Sequence, residues 1–247
     1  MSVYSCFSEY YDLLTEDIDY KGRTDYLYGL FKRFNSVPSL LLDLACGTGN
    51  FSIEFAKKGI DVIGVEPSEE MLSVARSKAN IKKVDILFLC QTGQELDLYG
   101  TVDGAICCLD SINHVTNKDD LEKLFSRVSL FLEPGKLFIF DVNTEYKHKE
   151  ILGDNTFVRE TDDVFFVWQN FYNSEEKITN ICLDFFKESD GVYVRECEDF
   201  SERAYSTEDI NNMLETSGFE IVAIYDDMSY NEPTDKSQRI IYVARKV

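Results

Sequence analysis

The chain has 247 residues, an apolar fraction of 44% and a formal net charge of −20. That length holds one large domain or a domain with an insertion, no apolar run approaches the roughly 18 residues of a membrane helix, and the acidic balance opposes binding to phosphate backbones. A small-molecule or protein substrate is therefore expected, with neither nucleic acid nor membrane as partner; oligomeric state is not encoded in these quantities.

The start, Met1-Ser2-Val3-Tyr4-Ser5, has no basic or apolar leader. Seven cysteines, odd in number and mostly inside apolar runs, read as reduced thiols, so a cytoplasmic location is expected. Tyr4, Tyr10, Tyr11 and Tyr20 stand among small and acidic residues. Residues 17–20 then lead into a helix with Leu27, Leu30, Phe31 and Phe34 on one face. Pro38 closes it before residues 40–44, a short apolar run carrying Asp43. Gly47-Thr48-Gly49 follows, and Asn50 opens an apolar helix pattern, which makes a strand, a tight turn and a helix. Glycine at 47 and 49 allows positive φ and lets a ligand lie against the turn, at a helix start that favours negative groups.

The second strand, residues 61–66, ends in Glu66, roughly 20 residues beyond the glycine turn, where a carboxylate accepts from both hydroxyls of a ribose. A surface acid at a strand end is the plainer alternative. Ser68 caps a helix with Met71, Leu72 and Ala75 on its apolar face. Residues 85–89 form a third strand leading into Thr92 and Gly93, and residues 102–109 a fourth. Asp110, Ser111, Ile112, Asn113 and His114 stand at its C-terminal end, where open α/β sheets bind ligands. His114 is placed to act as a base near neutral pH, although a packed or capping ring fits the same position.

Asn117 caps a helix running to residue 132, and Pro134-Gly135 turns into a fifth strand, residues 136–141. Asp141 and Asn143 would hold a metal with Asp110 only if all three faced one pocket; a substrate-binding or capping role is expected instead, and no metal. From 145 to 203 the composition turns β-rich. Runs at 165–172, 178–186 and 192–200, with a hairpin turn at Asp190-Gly191, predict three or four antiparallel strands. Trp168, Tyr172 and Tyr205 are candidate pocket walls or simple sheet packing. Ser206-Thr207-Glu208-Asp209 opens a helix that Gly218 stops, and residues 219–225 and 239–244 supply two last strands.

The run Asp43-Leu44-Ala45-Cys46-Gly47-Thr48-Gly49 resembles the first motif of the class I S-adenosylmethionine-dependent methyltransferases, with its acid four positions before the first glycine. The order of elements down most of the chain is similar too. The resemblance implies an α/β fold: a Rossmann-like, seven-stranded, mostly parallel sheet with helices on both faces and an antiparallel last strand. Residues 1–144 and 204–247 would form it, and residues 145–203 an inserted antiparallel β-sheet that covers the site and sets the substrate. It also implies S-adenosylmethionine as cofactor, held by the loop through Asp43, Ala45, Gly47 and Gly49 and by Glu66 on the ribose. Pro67 would pack on adenine, Thr92 stand where the family has an aspartate, the Gly93 amide donate to the ring and Leu109 flank the methionine portion. Tyr11 would close over the cofactor from an N-terminal lid, with Arg23 a second candidate near its carboxylate.

Because the methyl group is already activated, alignment and exclusion of water carry most of the catalysis; His114, Asp110 and Tyr11 are the candidates for moving a proton. Ser111 and Ile112 stand where nucleic-acid amino-methyltransferases have Pro-Pro, so the resemblance favours a small-molecule acceptor, an amine before an oxygen. Two alternatives remain: a nicotinamide-dependent oxidoreductase, although Asn50, Phe51 and Ser52 omit the third glycine that such a fold wants, and a non-catalytic cofactor-binding protein, compatible with Thr92.

Overall fold

The computed structural model describes residues 7–161, 164–189 and 191–247; Tyr4 and Asp190 of the sequence reading lie outside the described residues. Two helices, α1 (Phe7–Leu14) and α2 (Tyr20–Arg33), precede the first strand, β1 (Leu40–Leu44). Then follow α3 (Asn50–Lys57), β2 (Asp61–Glu66), α4 (Glu69–Lys82), β3 (Leu87–Cys90), β4 (Gly104–Cys107), α5 (Ser111–His114), α6 (Lys118–Phe131) and β5 (Leu137–Asn143). A π-helical turn (Lys147–Leu152) leads into β6 (Thr156–Glu160), β7 (Val164–Asn173), β8 (Ile178–Ser189) and β9 (Val192–Arg203). The chain ends with α7 (Thr207–Thr216), β10 (Phe219–Asp226) and β11 (Arg239–Lys246).

Seven strands form one sheet in the order β10-β11-β5-β4-β1-β2-β3. Only β11 runs antiparallel to its neighbours, pairing β5 and β10. Alternation along the strands sends side chains to opposite faces. Leu41, Ile139 and Ile241 pack with Leu27, Phe31 and Phe55 of α2 and α3, whereas Leu42, Phe138, Phe140 and Tyr242 pack with Leu124, Phe125 and Val128 of α6. The caps read from the sequence are made: Ser68 accepts from Met71 N at 3.2 Å, Asn117 from Asp119 N at 2.8 Å and Ser206 from Asp209 N at 3.1 Å. After β3 the chain crosses back over β1 to lay down β4, so the strand order reverses between β1 and β4. Outside their carboxyl ends lies the crevice where such sheets bind ligands.

Strands β6 to β9 make a second, antiparallel sheet in sequential order. Four strands form where three or four were expected, β6 being the one the sequence left unnamed. This sheet meets α1 and α4 through an apolar cluster of Tyr10, Met71, Val164, Phe166, Ile181, Leu183 and Phe185. No helix among the described residues is long and apolar enough to cross a membrane.

Two expectations about elements are corrected. Helix α1 was not foreseen as a helix; the sequence showed only its tyrosines. The fourth strand stops at Cys107 rather than 109, because Leu109 and Asp110 adopt left-handed φ of 56° and 54°. Their amides turn away from the sheet ladder and donate to the two carboxylate oxygens of Asp141, at 2.8 and 2.7 Å.

Candidate active site

A cavity of about 580 Å³ opens at the reversal point. Its floor is the β1–α3 turn. Gly47 has φ +54°, and a Cβ there would lie 3.8 Å from the ring of Tyr11, so the glycine leaves a cleft between loop and ring. Ala45 also takes a left-handed φ of 54°, a conformation that a non-glycine residue holds only when its surroundings force it. Glu66 closes one side of the turn: Gly47 N and Ser68 N donate to its two oxygens at 3.1 Å each. Burial pushes the Glu66 carboxyl above its usual range.

Helix α1 lies across this loop. Tyr10 stacks on Phe185 of β8 with ring centres 4.7 Å apart. Asp12 accepts from Thr48 Oγ1 at 2.7 Å, Asn50 Nδ2 at 2.9 Å and Lys78 Nζ at 2.8 Å, which ties the helix to the glycine turn and to α4. Tyr11 thereby reaches the cavity wall.

The far wall is polar. Arg239 donates through Nη1 to Asp141 Oδ1 at 2.7 Å, and its Nη2 lies 3.3 Å from Asp110 Oδ1. Asn143 Nδ2 donates to Asp110 Oδ2 at 2.6 Å. Burial alone would raise Asp110, but the charges of Arg239 and Lys147 outweigh it and hold the carboxylate well below its usual range. Glu202, on β9, is buried beside them. Its Oε1 lies 3.6 Å from His114 Nε2 and its Oε2 3.8 Å from His148 Nε2. Burial and then the negative charge of Asp110 push Glu202 up to about 8. His114 stacks on Phe200 and is lowered by burial, so its ring is neutral at pH 7.

A sequence model described as a methyltransferase domain matches residues 41–135. The Bacillus subtilis protein YqeM, which bears a methyltransferase name, is 33% identical over 247 residues, covering 99% of this chain and 97% of its own length. The chain belongs to the class I S-adenosylmethionine-dependent methyltransferases. A crystal structure of such an enzyme from Clostridium acetobutylicum superposes with a TM-score of 0.89 at 34% identity, over 98% of each chain. The sugar N-methyltransferase of Streptoalloteichus shares the fold at 18% identity, with a TM-score of 0.78 over 96% of this chain and 93% of its own.

In this methyltransferase the cavity gathers most of the residues singled out from sequence. Tyr11, Ala45, Gly47, Glu66, Pro67, Thr92, Gly93, Leu109, Asp110 and His114 all line it. Two do not. Asp43 is buried behind the turn, accepting from Ser52 Oγ at 2.5 Å and raised by burial to about 7; it borders a small separate void beneath the loop. Gly49, with φ +77°, packs where a Cβ would meet Ala75 and Phe88 at 3.0 and 3.3 Å, so its glycine serves the seating of α3 against α4. The Gly93 position is equally tight, because a Cβ would fall 2.6 Å from Leu124 of α6.

Of the aromatic wall candidates, Trp168 lines the cavity and Tyr205 does not: its hydroxyl donates to Val115 O and its ring sits in the main core. Tyr172 is likewise absent from the lining. Arg23 is held outside it in a two-pronged ion pair with Asp227, at 2.9 and 2.7 Å. Asp110, Asp141 and Asn143 do converge, but around the Arg239 guanidinium. Tyr11 is raised well above its usual range, first by burial, so it stays a phenol and cannot serve as a base at neutral pH.

The sequence reading missed Glu202, Lys147 and Arg239, which all line the cavity. Glu202 sits in the charged strand Arg195-Glu196-Cys197-Glu198-Asp199-Phe200-Ser201-Glu202, where the alternation that puts Phe200 and Glu202 on one face was the available signal.

Proposed function

We propose that this methyltransferase moves a methyl group to the nitrogen of a small-molecule amine. The observation that carries the acceptor is the polar end of the cavity, where the carboxyls of Asp110 and Glu202 stand near His114 beside Arg239 and Lys147. Asp110 is held ionised, and Glu202 adds a second negative charge once it loses its proton, which favours a cationic acceptor. Family membership supports the cofactor end and weighs against the nicotinamide reading. When bound, S-adenosylmethionine supplies a methyl group already activated by its sulfonium sulfur.

The residues around the glycine turn fit that cofactor. Glu66 has lone pairs left after two backbone bonds and would accept from the ribose hydroxyls. Pro67 and Gly93 would hold the adenine, and the Thr92 hydroxyl, already donating to Glu95 at 3.1 Å, retains acceptor capacity toward the ring. Ala45, Gly47 and Leu109 would hold the methionine portion, with Tyr11 of α1 over it. Asp43 acts from behind by fixing the start of α3 through Ser52. The inserted sheet, residues 145–203, forms the substrate side, with Trp168, Phe200 and Glu202 excluding water and contacting the acceptor.

The test is a screen of small primary and secondary amines, with alcohols alongside, for release of S-adenosylhomocysteine. Turnover with amines is expected. Turnover of hydroxyl compounds alone would replace the nitrogen acceptor with an oxygen.

A further inference from the structure

Both of the chain's histidines face one carboxyl group. That group, Glu202, stands in the cavity wall at the end of β9, 3% exposed, with Asn143 Nδ2 3.4 Å from Oε2. The other polar groups at this end are committed. Asp110 has one oxygen facing Arg239 and the other bonded to Asn143. The Nδ1 of His114 is buried without a partner among the described residues, which leaves Nε2, the nitrogen facing Glu202, as the ring's working atom.

We propose that Glu202 is the catalytic residue that takes the proton from the amine acceptor, with His114 beside it as the group that positions the carboxyl; this rests on the amine reading above. An acceptor arriving as R–NH₃⁺ gives one proton to Oε1. An N–H bond breaks, an O–H bond forms, the electron pair stays on nitrogen as the lone pair needed for attack, and the charges of ammonium and carboxylate cancel. Asp110, held ionised by Arg239 and Lys147, does not compete for that proton.

Several groups surround Glu202: His114 on α5 and His148 on the π-helical turn face it, and Lys147 on that turn, Asp110 after β4, Asn143 on β5 and Arg239 on β11 shift its titration. Burial and Asp110 push the carboxyl up, while Lys147, Asn143 and Arg239 pull it down, with burial the larger. Glu202 is therefore competent once ionised, on the alkaline side of neutrality.

The experiment begins with the unsubstituted protein, S-adenosylmethionine and a panel of small primary amines. If none is methylated, the amine reading falls and this proposal with it. On an amine that is methylated, kcat/KM is followed between about pH 6 and pH 10 for the wild type and E202Q, with cofactor affinity measured by calorimetry. The wild type should rise through an apparent pKa of about 8. E202Q should lose that limb and run roughly 100-fold slower near pH 8, with the deficit closing toward about pH 10, where the free amine needs no base. Cofactor affinity should not change. An equal loss at every pH, or no loss, overturns the proposal while leaving the amine reading intact. Should E202Q fail to fold, E202A, which also lacks an ionisable group, is judged by the same profile.

Discussion

Arg239, on the antiparallel strand β11, holds its Nη2 3.3 Å from Oδ1 of Asp110, on the turn after β4. The same guanidinium binds Asp141 at 2.7 Å, and Asp141 in turn accepts the amides of Leu109 and Asp110. One side chain thus fixes the left-handed turn at the reversal point. Asp110 stays ionised in this wall because Arg239 first, then Lys147 and the Asn143 hydrogen bond, outweigh its burial.

Removing that cation leaves two poorly exposed carboxylates with their amide and Asn143 hydrogen bonds but without the guanidinium that balances both charges. Arg239→Ala is expected to destabilise the fold by about 3–5 kcal/mol, read as a lowered midpoint in urea unfolding. Arg239→Lys should recover only part of this, since an ammonium does not bridge two carboxylates as a planar fork does. A midpoint unchanged in the alanine variant would show the cluster to be energetically idle.

Glu66→Ala should weaken S-adenosylmethionine binding by roughly 1–3 kcal/mol. The variant loses acceptors for the ribose and also the bonds from Gly47 N and Ser68 N that hold the turn. Calorimetric titration reads the change; an unaltered Kd would remove Glu66 from the cofactor site.

Asp12 ties α1 to the glycine turn through Thr48, Asn50 and Lys78. Asp12→Ala should free the helix that carries Tyr11, reducing cofactor affinity by about tenfold, or about 1.4 kcal/mol. Faster protease cleavage between α1 and α2 should accompany it. Unchanged affinity and unchanged cleavage would mean that the apolar packing of α1, with its Tyr10–Phe185 stack, seats the helix without Asp12.

His114→Ala should slow methyl transfer by about 10–100-fold while leaving cofactor affinity within about twofold, because the ring lies at the proposed acceptor end and meets Glu202 and Phe200. Full activity on an identified acceptor would exclude His114 from the chemistry.

The raised carboxyl of Glu202 has a stability signature of known sign. The folded state keeps its proton up to about 8, whereas the unfolded chain releases it near 4.5. Between these values the folded state binds more protons, so stability from this group is full below about 4.5 and is lost as pH rises toward 8. E202Q, which has no charge to bury, should gain on the wild type across that window by on the order of a few kcal/mol at its upper end. Chemical denaturation at pH 5 and pH 8 measures the gap, and a gap that does not widen would contradict the burial of an ionisable carboxyl there.

The seven-stranded sheet, the glycine turn and Glu66 were legible in the sequence because each is a local pattern. A buried strand is a short apolar run, a left-handed turn asks for Gly47, and an acid at the end of β2 is fixed by spacing along the chain. The helix caps at Ser68, Asn117 and Ser206 follow from the same locality.

The polar end of the cavity was not legible, since it is assembled from β9, β11, the π-helical turn and α5, segments far apart in the chain. Glu202 reads as another acid on a charged strand until β9 places it beside His114. Arg23, a candidate by sequence, is removed by Asp227, 204 residues away. The chain alone determined a methyltransferase-like sheet with a cofactor loop, because apolar periodicity and backbone conformation are encoded residue by residue. Which carboxyl stays charged, which keeps its proton and which lies behind the wall as Asp43 does were decided only by the tertiary structure, because burial and the charge opposite a group set its protonation, and both arise when distant segments meet.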